Sequence, residues 1–275
     1  MRSRWALLLT ALLLAGCVAV PTVDERRQNA NTLTKNSGWV GTAIASSPYP
    51  LYAFLPQRPA PTQTLSIYIE GDGLAWRSRR SISGNPTPIK PVALQLALLD
   101  QSAAAYLARP CQYVRDLSRC DPKLWTSARF SSKTVTAANQ AVDFLKREFS
   151  AKRVRLIGYS GGGAIAALVA AQRNDVAQLV TVAGNLDHVT WAKLHRVSPL
   201  DNSLNPADAW RSLQSIPQMH FVGADDRIID ASISASYRRR FPRDKQPAIM
   251  LVKGADHHCC WVEKWPALLR TLNPR

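Results

Sequence analysis

The stretch Val154-Arg155-Leu156-Ile157-Gly158-Tyr159-Ser160-Gly161-Gly162-Gly163-Ala164 decides how this chain reads. Val154 to Ile157 is a short apolar run of strand type, and Ala164 to Gln172 is a strong helix former. Between them lies G-x-S-x-G, with Gly158 and Gly162 around Ser160. A strand that turns sharply into a helix crowds its own backbone, so side chains at those two positions would collide. The turn lifts the serine hydroxyl to the helix N-terminus, where the helix dipole favours negative charge. Other glycine-rich loops fit poorly. No Lys-Ser/Thr pair follows, which excludes a P-loop, and Ile165 and Ala166 stand where the last glycine of a dinucleotide fingerprint could fall.

Outward from this turn, short apolar runs alternate with helical patterns. Leu65 to Ile69, Leu179 to Val182, Met219 to Val222 and Ile249 to Val252 read as strands. Ala137 to Phe149 has helical rhythm through Ala138, Val142 and Leu145, and Val262 to Leu272 closes as an amphipathic helix with Pro266 in its first turn. Strands separated by helices predict an α/β fold with a mainly parallel central sheet covered on both faces. Ligands of such sheets bind beyond the carboxyl ends of the strands. The short stretch between Val182 and Met219 leaves room for a short cap segment only. No internal repeat is present, which excludes solenoids and propellers.

An exposed serine after a strand becomes a nucleophile when a histidine and an acid follow on later strands. Both occur. Met219 to Val222 runs into Gly223-Ala224-Asp225-Asp226, and Ile249 to Val252 leads through Lys253 into Gly254-Ala255-Asp256-His257-His258. The order serine, acid, histidine is that of α/β-hydrolases, and residues 60–272 resemble that superfamily. In the family the acid and the histidine each commonly stand three residues after a strand-end glycine. The resemblance therefore implies catalytic Ser160, Asp226 and His257, with Asp225 and His258 the alternatives. It also implies an oxyanion hole from backbone N–H groups, Gly161 after the nucleophile and Asp72 in the loop Glu70-Gly71-Asp72-Gly73, with Gly73 the alternative. Where the family often has His-Gly, this chain places a carboxylate, which opposes developing negative charge unless paired. Arg77, Arg79 and Arg80 are the nearest cations in the sequence.

The implied activity is hydrolysis of a carboxylic ester or thioester in a small-molecule acyl substrate through an acyl-enzyme, with no cofactor and no metal. Amide hydrolysis and a non-catalytic binding protein of the envelope are the alternatives. The run Asp256-His257-His258-Cys259-Cys260 lacks the spacing of a zinc site, because consecutive residues rarely face one ion. Ala183 to His188 follows a strand and is expected to line the pocket. Leu186-Asp187-His188 with Ser203-Leu204-Asn205-Pro206 resembles bacterial α/β-hydrolase lipoproteins. Trp191, His195 and Trp210 read as core or rim.

The N-terminus reads as an address. Arg2 and Arg4 precede an apolar run, Trp5 to Leu14, too short to cross a bilayer as a mature helix. Leu14-Ala15-Gly16-Cys17 resembles the lipobox of bacterial lipoproteins, which implies a signal peptide over 1–16 and lipidation of Cys17. Residues 17–36, polar with Pro21, Asn29, Asn31 and Asn36, read as a lipidated tether, and 37–275 as the hydrolase domain. Val18 is not the Asp that retains such proteins in the inner membrane. The expected place is therefore the envelope of a Gram-negative bacterium, on the outer membrane facing the periplasm. With one of five cysteines lipidated, four are left for an oxidising compartment. Cys111 and Cys120 are the expected disulfide; Cys259 and Cys260 stay open between a vicinal bridge and buried thiols.

Composition sets the outer limits. The 275 residues are 46% hydrophobic, enough for a sizeable core, which excludes disorder and low complexity. Lys and Arg number 35 against 19 Asp and Glu, a net charge of +16. Such an excess attracts anionic surfaces. No helix-turn-helix, zinc or RNA-binding motif accompanies it, so nucleic acid is not the expected partner; a membrane is.

Overall fold

The computed structural model describes residues 20–272, so the expected signal peptide over 1–16 and Cys17 lie outside the described residues. Helix α1 (Val23–Lys35) leads into β1 (Trp39–Ile44), β2 (Leu51–Pro56) and β3 (Thr64–Ile69). The small hairpin β4 (Trp76–Ser78) and β5 (Ser81–Ile82), then α2 (Val92–Leu98), β6 (Ala104–Leu107) and α3 (Ser132–Glu148) follow. The second half runs β7 (Arg153–Tyr159), α4 (Gly161–Ala170), β8 (Val176–Val182), α5 (His188–His195), α6 (Trp210–Leu213), β9 (Gln218–Gly223), α7 (Ala231–Arg238), β10 (Ala248–Val252) and α8 (Trp261–Leu272).

Eight strands form one sheet in the order β1-β2-β6-β3-β7-β8-β9-β10. From β6 to β10 every pairing is parallel, and only β2 runs against its neighbours. Side chains alternate across β3: Leu65, Ile67 and Ile69 pack under α3 and α4, whereas Tyr68 joins the opposite core with α2 and α8. A strand buried on both faces has no polar period, and the only polar residue within Leu65 to Ile69, Ser66, is buried too. Helix α4 is apolar all round and all ten of its residues are buried. Its entry is tight: a Cβ on Gly162 would meet Ile69 O at 2.2 Å and Glu70 O at 2.4 Å, so only glycine lets helix and sheet approach this closely.

Three elements differ from the sequence reading. Residues 17–36 read as a tether, yet 23–35 fold into α1. A Thr22–Glu25 capping box starts this helix, and Arg26, Ala30 and Thr34 are buried. Scattered polar residues hid a helix whose inner face is narrow. Strands β1, β2 and β6 are absent from the sequence reading, although β2 carries the apolar run Leu51 to Leu55. Pro266 lies beyond the first turn of α8, on its exposed face, where the missing N–H meets solvent.

The structure joins Cys111 to Cys120, with Cα atoms 5.9 Å apart, and Cys259 to Cys260. The first bridge belongs to a small satellite core with Ala75, Leu124 and Trp125.

Candidate active site

Ser160 sits at φ 51°, ψ −121°, a conformation costly for a residue with a Cβ. The sheet supports it: Ser160 N donates to Val182 O at 3.0 Å, and Asn185 N donates to Ser160 O at 3.0 Å. The side chain is thereby held above the carboxyl ends of the strands. Ser160 Oγ lies 3.0 Å from His257 Nε2, and His257 Nδ1 lies 2.9 Å from Asp226 Oδ2. Asp226 and His257 are 66 and 97 positions from Ser160's neighbourhood only in chain terms; β9 and β10 deliver both to the same strand ends.

Asp226 is buried, and burial raises its pKa. The His257 ring and the Ile228 and Ile229 amides outweigh that and hold the carboxyl below its ordinary value. Both amides donate to Oδ1 at 2.8 Å, which leaves Oδ2 to the imidazole. Tyr159 OH donates to His257 O at 2.7 Å, fixing the histidine loop to the strand that carries the nucleophile. The alternatives lie elsewhere. Asp225 is exposed, and His258 is exposed with its ring set edge-on against His257 at 5.0 Å.

The loop 70–73 lies on this turn. A Cβ on Gly71 would stand 3.3 Å from Ser160 Cβ, and one on Gly161 would strike Asp72 Oδ1 at 2.1 Å. As the first residue of α4, Gly161 has an amide with no intrahelical acceptor. The Asp72 carboxylate is paired, but not by the cations next to it in the sequence. Arg77, Arg79 and Arg80 are exposed on the β4–β5 hairpin. Arg109 Nη1 at 3.3 Å and Arg129 Nη1 at 2.5 Å take that place. Burial raises the Asp72 pKa, the two guanidinium groups outweigh that, and the net direction is down. Arg109 also donates to Arg129 O, and Gln112 Nε2 donates to Gly71 O at 3.0 Å.

Sequence reasoning missed these groups because Arg109 follows β6, a strand it did not read. It missed Glu70 as well. This carboxyl is buried, accepts from Gly71 N at 2.8 Å and from Tyr106 OH at 3.3 Å, and burial pushes its pKa up to about 7. Folding thus raises its proton affinity above the ordinary 4.5. Stability from the protonated form is fully present below about pH 4.5 and is lost as pH rises toward about 7. Glu70→Gln is therefore expected to match wild type near pH 4 and to exceed it by roughly 2–3 kcal/mol at pH 8. Urea melts at the two pH values check this, and an equal difference at both refutes it.

Asp187 and Asn205 also come together. Asp187 caps α5 through Thr190 N at 3.2 Å, accepts from Asn205 Nδ2 at 3.1 Å and from Ser236 Oγ at 2.7 Å. That motif ties the cap segment to α7, a structural task. Trp191 packs under Arg129, 5.7 Å from ring centroid to guanidinium, and His195 Nε2 lies 2.8 Å from Ile228 O. Trp210 packs against Phe241.

No protein-family model and no curated protein sequence matches the chain. Solved structures do. The α/β-hydrolase GrgF from Penicillium sp. sh18 aligns with TM-score 0.60 at 14% identity, over 86% of this chain and 96% of its own. Est1E from Butyrivibrio proteoclasticus aligns with TM-score 0.58 at 13% identity, over 84% and 96%. The esterase domain of a Rhodothermus marinus protein gives 0.56 at 13%, over 85% and 95%. The chain has the α/β-hydrolase fold.

Proposed function

We propose that this protein is a serine hydrolase that cleaves carboxylic esters or thioesters. The observation behind the reading is the unbroken line Asp226–His257–Ser160, with contacts of 2.9 and 3.0 Å. Ser160 Oγ attacks the acyl carbonyl while His257 Nε2 takes its proton, and Asp226 holds the imidazole in the required tautomer. The Gly161 and Asp72 amides hold the oxyanion, and the Arg109 and Arg129 ion pairs keep the Asp72 carboxylate from opposing it. His257 then returns the proton to the leaving alcohol or thiol, and water releases the acyl group by the reverse sequence. The preference for esters draws on neighbours named as esterases. A fluorophosphonate adduct on Ser160 and turnover of a p-nitrophenyl ester series test the proposal; an unlabelled Ser160 would instead favour the binding-protein reading.

The second part of the proposal is anchoring at the cell envelope through a lipidated Cys17, on the outer membrane of a Gram-negative bacterium. It rests on the lipobox-like Leu14-Ala15-Gly16-Cys17. More than one acyl chain gives stable attachment where one is marginal. Mass spectrometry of the mature N-terminal peptide is expected to show an acylated Cys17, and Cys17→Ser is expected to leave soluble or uncleaved protein. An unmodified mature N-terminus in the wild type refutes the anchor and leaves the hydrolase proposal standing.

A further inference from the structure

The hairpin β4–β5 is exposed along its whole length. All seven residues from Trp76 to Ile82 are exposed. Trp76 and Ile82 are cross-strand partners, and both are 42% exposed. A large apolar pair left in water on the same face of a hairpin is a docking feature rather than packing. Three arginines surround it: Arg77 on β4, and Arg79 with Arg80 in the turn. None of the three forms an ion pair among the described residues.

The base is firmly held. Ser83 N donates to Ala75 O at 3.0 Å, Leu74 N to Pro86 O at 3.1 Å, and Trp125 Nε1 to Ser83 O at 3.1 Å. The same base receives the N-terminal segment. Arg26 in α1 donates to Thr87 O and, at 3.3 Å, to Asn85 O, and Asn29 Nδ2 donates to Ile89 O at 3.3 Å. Helix α1 therefore starts beside the segment that follows the hairpin. Cys17 stands five positions before Thr22 in the sequence. The apolar run Trp5 to Leu14 stands just beyond it in the sequence.

We propose that the β4–β5 hairpin docks on an anionic lipid bilayer, with Trp76 and Ile82 at the interfacial depth and Arg77, Arg79 and Arg80 on lipid phosphates. Tryptophan prefers that depth, arginine stems lie along apolar surface while their heads stay at the phosphates, and guanidinium pairs with phosphate through two hydrogen bonds. The hairpin leaves the sheet after β3, at the end where Ser160 stands.

The test uses the full chain reconstituted in phosphatidylcholine vesicles with or without phosphatidylglycerol, carrying Trp76→p-benzoylphenylalanine for photo-cross-linking. The same replacement at Leu251, which is 58% exposed on β10, is the reference. Lipid adducts at position 76 in anionic vesicles are expected to exceed the reference by about fivefold or more, the factor one arginine contributes near such a surface. The Arg77→Ser/Arg79→Ser/Arg80→Ser variant should fall to the reference, Arg77→Lys/Arg79→Lys/Arg80→Lys should keep most of the yield, and high salt should reduce it. Circular dichroism reads folding in each variant. Adducts at position 76 no higher than the reference, equal yields from neutral and anionic vesicles, or adducts to protein instead of lipid would overturn the proposal.

Discussion

Ser160→Ala is expected to reduce kcat/KM on any accepted p-nitrophenyl ester by roughly 10⁴–10⁶, and His257→Ala by a similar factor. The two side chains act as one unit: without the base the hydroxyl stays protonated, and without the hydroxyl the base has nothing to activate. The double variant should therefore be about as slow as either single one, far from the product of the two losses. Ser160→Ala should cost little stability, because Ser160 is only partly buried and its strained backbone accepts alanine no worse than serine. His258→Ala sets the contrast. Its ring touches His257 but neither Ser160 nor Asp226, and its loss is expected to cost about tenfold or less. Full esterase activity in Ser160→Ala would remove the enzyme proposal. Turnover that survives His257→Ala but not His258→Ala would reverse the assignment of the base.

Asp226→Asn should cost on the order of 10⁴ in kcat, with KM little changed. Backbone geometry gives the reason. The Ile228 and Ile229 amides both donate to Oδ1, so an asparagine must keep its carbonyl oxygen there. Its NH₂ then faces His257 Nδ1, which has to accept, and the ring proton moves to Nε2 against Ser160 Oγ. That tautomer cannot take the serine proton. Asp225→Asn leaves the relay untouched and should stay within about tenfold of wild type. Activity of Asp226→Asn within tenfold of wild type would show that another group orients the imidazole.

Much of the site was legible because its signals are local. A nucleophile turn needs Gly158 and Gly162 within four positions of each other; the strand before it is apolar apart from Arg155, and the helix after it is a continuous apolar run. The candidate acid and histidine were found by the same rule, each shortly after a run of strand type. Strand β6 escaped because Ala104-Ala105-Tyr106-Leu107 is short and weakly apolar, and helix α1 because only one narrow stripe of it is buried. The cations were misjudged for a related reason. Proximity along the chain favoured Arg77, Arg79 and Arg80, but the β4–β5 hairpin carries all three out into solvent.

By itself, then, the sequence determined the alternation of strand and helix, the sharp turn at Ser160 and the order of the three candidate side chains. Each of these depends on backbone sterics or on burial within a few consecutive residues. Only the tertiary structure decided which charges meet. Arg109 and Arg129 reach Asp72 from 37 and 57 positions away because β6 pairs beside β3 and carries Arg109 to the same end of the sheet, and Arg109 in turn holds Arg129 through its carbonyl oxygen. Strand order is set by long-range packing of nearly interchangeable apolar runs, and no local pattern encodes it. The same holds for the contact between α1 and the segment after β5, where Arg26 bonds to carbonyls 59 and 61 positions away.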